Sequence, residues 1–222
     1  MLLGRLTLAA LVLAVSVSSA LGLAAMIGDT FVTLPPPAGF CELTPRYEFD
    51  ARAIAVTSAY MTIDSIKLLA MSADCSQLAE AREGKRQLDE VAAYMVENSD
   101  VKMATPFSVA SKCSILRGSS KSPIRTDVDA RLTSTLEKIK VSEAGFIGVI
   151  AEDDSACYTA TLAKIRTDTG AQKVLVALQA NAVIRTKAII VRRQAVYQDP
   201  DTIKAVLPKL KSDVAAFIAA NP

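Results

Sequence analysis

The 222-residue chain contains no histidine and no tryptophan, and its aromatic side chains make up only 5% of the residues. Without histidine there is no Ser–His–Asp or Cys–His catalytic arrangement, no Cys-x-x-Cys-His haem attachment and no histidine-ligated zinc or copper. So few aromatics leave no platform on which RNA bases could stack. Neither sign of charge dominates, with 25 Lys+Arg against 23 Asp+Glu, so nucleic acid is not indicated as a partner. Gly-x-x-x-x-Gly-Lys, Gly-x-Gly-x-x-Gly and Gly-x-Ser-x-Gly are all missing, and with them the usual phosphate cradles and the serine nucleophile elbow. No cofactor and no metal set is indicated. What is abundant is apolar: 51% hydrophobic residues with 22% charged ones exclude a disordered or collagen-like chain and predict a packed core.

Residues 1–25 carry one basic side chain, Arg5, then an apolar run from Leu6 to Val17, then the small residues Ser18-Ser19-Ala20 and Gly22-Leu23-Ala24-Ala25. That order is the order of an export signal, and either Ser18-x-Ala20 or Gly22-x-Ala24 suits a signal peptidase. The alternative is an uncleaved anchor, since about 20 apolar residues can span a bilayer; membrane contact would then run through this segment alone. The next most apolar stretch, Val174 to Val191, is interrupted by Gln179, Asn181, Arg185 and Lys187 and is not expected to span. Residues 26–222 read as a single domain, of a size that buries about 70% of the surface its unfolded chain exposes.

Four cysteines, Cys41, Cys75, Cys113 and Cys157, lie far apart and form no Cys-x-x-Cys pair. In an exported chain an even number implies two disulfides, and three connectivities are open. Cys41–Cys75 and Cys113–Cys157 are favoured because each joins segments expected to be neighbours. The address implied is periplasmic or extracellular.

Along the domain, Phe31 to Leu34 reads as a short strand stopped by Pro35-Pro36-Pro37. Asp50 is placed to cap a helix running to about Ile63, Ile66 to Ala73 is strand-like, and Ser76 to Lys85 is helical until Gly84. Val91 to Val96 fits either strand or helix. Glu97 to Asp127, with two prolines and many serines, reads as a long polar loop tied down by Cys113, and Asp127 starts a helix to about Lys140. From Gly145 the pattern turns to strands, 145–151, 157–166, 173–180 and 183–197, separated by turns at Glu152-Asp153-Asp154-Ser155, Asp168-Thr169-Gly170 and Asn181. Asp199-Pro200-Asp201 caps a last helix with the apolar stripe Ile203, Val206, Leu207, Leu210, Val214, Phe217 and Ile218. The sum is an α+β domain: an antiparallel meander flanked by helices, with a long C-terminal helix.

Two segments carry a resemblance: Phe31-Val-Thr-Leu-Pro-Pro-Pro-Ala-Gly-Phe-Cys41 with the following Glu-Leu, and Leu68-Leu-Ala-Met-Ser-Ala-Asp-Cys75 with the stretch after it. They resemble a group of uncharacterised exported bacterial proteins, and the order of elements is similar to the PsbP-like and DcrB-like α/β/α sandwich. The resemblance implies a non-catalytic accessory role outside the cytoplasm and carries no catalytic residue.

Candidate constellations are few. Glu152-Asp153-Asp154 lacks the Asp-x-Asp-x-Asp-Gly pattern of a calcium loop and reads as an acidic turn. Ser119-Ser120-Lys121-Ser122 reads as polar loop rather than a Ser–Lys nucleophile. Glu80, Glu83, Asp89 and Glu90 read as a solvated face. Arg185 and Lys187 on one strand, with Arg192 and Arg193 further along and Lys164 and Arg166 on a neighbour, are candidates to hold a carboxylate, a phosphate or an acidic partner. The expected function is that of an exported, non-catalytic binding or accessory protein whose partner is an envelope protein or a small ligand, met through the open sheet face or the 97–127 loop. The rivals are a hydrolase built from Ser, Lys and carboxylates, and a membrane-tethered envelope protein.

Overall fold

A computed structural model describes residues 22–63, 65–102, 108–119, 140–166 and 172–222. The elements are β1 (Leu23–Ile27), β2 (Thr30–Leu34), β3 (Phe40–Glu42), α1 (Glu48–Ile63), β4 (Ile66–Asp74), α2 (Cys75–Arg82), β5 (Glu90–Glu97), α3 (Asn98–Lys102), α4 (Val109–Ser119), β6 (Lys140–Glu152), β7 (Ala156–Arg166), β8 (Gln172–Ile184), β9 (Lys187–Val196) and α5 (Pro200–Ala219). The fold is α+β. Seven strands form an antiparallel sheet in the order β3-β4-β5-β9-β8-β7-β6, and β1 pairs with β2 as a separate hairpin.

The alternation of side chains along each strand gives the sheet two different faces. One face carries Tyr94, Tyr158, Val176, Leu178, Ile189 and Val191 and is covered by α5 and the β1–β2 hairpin. Helix α5 forms because Val206, Leu210, Val214 and Phe217 fall on one stripe, all buried. Its start is fixed by the Asp199 carboxylate, which accepts from the Asp201 and Thr202 amides at 2.8 and 3.2 Å, with Pro200 in the first turn. The hairpin adds Ile27, Val32 and Leu34, each under 3% exposed. Its second strand is held by Asn221, whose side chain accepts from the Thr33 amide and donates to the Thr33 carbonyl, both at 2.8 Å. The opposite face is covered by α1 over β4 and β5, where Met61 meets Ala93, Met95 and Ile190, and by α4 over β6, β7 and β8.

Both disulfides pair as favoured: Cys41 with Cys75 and Cys113 with Cys157, at Cα separations of 4.9 and 5.3 Å. The first joins β3 to the start of α2 and the second pins α4 to β7. Each contributes about 4 kcal/mol by restricting the unfolded chain. They fit an oxidising, extracytoplasmic compartment.

Several expectations are corrected. Asp50 does not cap α1, which starts at Glu48; the carboxylate lies buried inside the first turn, accepting from the Thr44 amide at 2.9 Å and from Arg82 Nε and Nη2 at 3.0 and 2.7 Å. The 97–127 stretch, read as loop, carries α3 and α4, because Lys112 paired with Glu97 at 2.9 Å and the Cys113 bridge anchor a helix that serine and proline content argued against. The turn placed at Asn181 lies four residues later. Asn181 and Ala182 stay in β8, opposite Cys157 and Ala156 on one side and Ile190 and Ile189 on the other, since leaving the ladder would unpair backbone groups buried in the sheet. The turn falls at Arg185-Thr186, with φ of 46° and 71°. Leu23 to Ala25 lie in β1. The helix expected from Asp127 and the turn at Asp168-Thr169-Gly170 lie outside the described residues.

Candidate functional site

The hairpin reverses in two residues, with Gly28 at φ 62° in the first central position, the place where a type II′ turn needs glycine. A side chain there would lie 3.0 Å from the Val101 carbonyl, so glycine also lets the tip approach α3. Lys187 locks this corner, donating to the Val101 carbonyl at 3.5 Å and lying 3.7 Å from Asp29.

Between the hairpin, β4, β5 and α3 lies a cleft of about 370 Å³ lined by Met26, Ile27, Lys67, Leu69, Val96, Asn98 and Val101. Ile27 and Val96 belong to the core, whereas Met26, 57% exposed, forms a lip. Lys67 opposes Val96 across the β4–β5 ladder and makes no ion pair and no side-chain hydrogen bond among the described residues. Apolar walls beside an ammonium that no carboxylate of the described residues pairs suit a ligand that carries an apolar chain next to an anionic group.

The four cations singled out from the sequence are not brought together. Arg185 sits in the β8–β9 turn and donates to the Pro222 carbonyl oxygen at 2.8 and 3.3 Å and to the Phe31 carbonyl at 3.3 Å. Lys187 is at the hairpin corner. Arg192 and Arg193, being adjacent on β9, point to opposite faces. Lys164, on β7, is exposed.

Arg193 is 5% exposed and Asp213 of α5 4% exposed. The guanidinium clamps Asp213 through Nε and Nη2, reaches Glu90 Oε2 from Nη1 at 2.9 Å, and lies 4.6 Å from the Phe40 ring centre. Lys209 closes the cluster on Glu90 Oε1 at 2.6 Å. Burial pushes Asp213 above the usual carboxylate range; burial acts to lower Arg193, but the charge and hydrogen bonds of Asp213 and Glu90 hold it above its ordinary value. Arg192, on the other face, has no carboxylate partner among the described residues. It donates to Gln194 Oε1 at 2.6 Å and approaches Met61 Sδ at 3.7 Å, and burial lowers its pKa.

The remaining candidates are structural in their surroundings. Asp153 accepts from the Ser155 and Ala156 amides at 3.0 and 3.1 Å and from Lys211 of α5 at 3.0 Å. Burial alone would raise its carboxyl, but these donors outweigh it and bring it below its ordinary value. Glu80, Glu83 and Asp89 are paired with Arg86, Lys85 and Arg86, while Glu90 belongs to the Arg193 cluster rather than to a solvated face. Of Ser119-Ser120-Lys121-Ser122, only the backbone of Ser119 lies among the described residues, at the end of α4.

Of the cleft residues, Asn98 and Val101 fall in the 97–127 stretch expected to meet a partner, whereas Met26 and Lys67 were not singled out from the sequence. The four come from three distant segments, and Met26 adjoins residues read as leader; the available hint at Lys67 was a charge in an otherwise apolar strand. No protein-family model, curated protein or solved structure matches this chain. Among the described residues no helix is long and apolar enough to cross a membrane.

Proposed function

We propose that the protein is an exported, non-catalytic binding or accessory protein of the cell envelope, resident in the periplasm or outside the cell, and that the hairpin cleft receives an amphipathic anion. The observation that carries this reading is Lys67, without an ion-pair partner among the described residues, beside apolar walls of Ile27, Leu69, Val96 and Val101. The leader-like N-terminus, the two disulfides and the resemblance to PsbP-like and DcrB-like proteins support the compartment and the accessory role. The partner's matching feature is a short aliphatic chain or apolar side chain flanked by a carboxylate, borne by an envelope protein or a small ligand.

Decanoate is a suitable probe. At about 0.8 kcal/mol per buried methylene, six methylenes offer about 5 kcal/mol before association costs, so apolar burial alone gives a Kd no tighter than about 0.2 mM. Calorimetric titration of the disulfide-intact protein should show binding of decanoate and at least about tenfold weaker binding of decyltrimethylammonium. Equal affinity for the two, or none for either, would overturn the reading.

A further inference from the structure

We propose that the chain is processed between Ala20 and Leu21, not after Ala24; this rests on the export reading above. Both positions end a small-x-small triplet and suit a signal peptidase as sequence. The fold separates them. Strand β1 runs from Leu23 to Ile27, and its five residues pair with Leu34, Thr33, Val32, Phe31 and Thr30 of β2. A cut after Ala24 removes Leu23 and Ala24 and with them two of those pairs.

It also moves a charge. The hydrolysis adds water across one peptide bond, leaving a carboxylate on the leader and an α-ammonium on the mature chain. After Ala24 that ammonium would fall on Ala25, which is half-buried and packed against the main core, where an unpaired charge is poorly tolerated. After Ala20 it falls on Leu21, two residues before the strand. Gly22 is already committed to the fold: a Cβ there would lie 2.9 Å from the Leu34 carbonyl oxygen and from the Pro35 Cα. A cut after Ala20 keeps Gly22 and all of β1 in the mature chain.

The test is expression of the full 222-residue chain in a bacterial host, with N-terminal sequencing and intact-mass measurement of the protein recovered from the envelope or medium. The expected amino terminus is Leu21. An amino terminus at Ala25, or anywhere within β1, overturns this inference and leaves export standing. An intact Met1 terminus overturns the export reading and this inference with it. Ala20→Tyr puts a large side chain at the scissile position and should leave unprocessed precursor as the dominant form, while Ala24→Tyr should be processed at Leu21 as before. If Ala20→Tyr instead yields a folded chain beginning at Ala25 in wild-type amount, β1 is dispensable and the inference fails.

Discussion

Two cations on the same face of the sheet are treated in opposite ways. Arg193, under α5, has Asp213, Glu90 and the Phe40 ring around it, and Lys67, under the hairpin, has no ionic partner among the described residues. A buried charge persists only where partners replace the water it lost, so the Arg193 cluster reports how α5 is fastened and has nothing left to offer a ligand. Lys67 keeps its charge available because it stays exposed at the rim of an apolar cleft. The difference separates the part of the face that holds the fold together from the part fit to bind.

Removing one side of the buried pair should give the largest effect. Asp213→Ala removes the buried partner of Arg193, leaves Glu90 alone facing it, and should cost about 3 kcal/mol, read by chemical denaturation; a cost under about 1 kcal/mol would put Arg193 on the same footing as Lys67 and erase the contrast. The disulfides sharpen the comparison next. Both cysteines of Cys113–Cys157 are fully buried, whereas Cys41 is exposed, so graded dithiothreitol followed by alkylation should label Cys41 and Cys75 first, and labelling in the reverse order would mean that α4 opens more readily than the β3 edge.

Smaller effects follow at the turns. Thr186 is β-branched with φ of 71°, so Thr186→Gly should stabilise by about 1 kcal/mol and raise Tm by about 3 °C; a drop in Tm would mean that the Arg185-Thr186 turn is unstrained. Asp153 has a folded pKa below its ordinary 3.8, so its contribution is present above that pH and is lost as pH falls through the lowered value. The stability of wild type relative to Asp153→Asn should therefore shrink between about pH 5 and pH 2, and a gap constant with pH would remove Asp153 from the acid response.

The α+β class, α5 with its cap and the C-terminal strands were legible because their signals are local: a helical stripe, an Asp-Pro start, alternating apolar runs. The turn at Asn181 misled because asparagine's preference for turns is weak beside the ladder bonds that hold Asn181 between Cys157 and Ile190. Helix α4 was hidden by its serines and revealed only by the bridge and ion pair that anchor it. The cleft was illegible for a different reason. It exists where β1, β4 and α3 meet, and small-residue chemistry at Leu23 to Ala25 reads equally as peptidase site and as strand.

The most direct test measures decanoate affinity and Tm together for Lys67→Glu. The account predicts an affinity loss of at least about tenfold, or about 1.4 kcal/mol, with Tm within about 1 °C of wild type. Unchanged affinity, or affinity and Tm falling together, would contradict it.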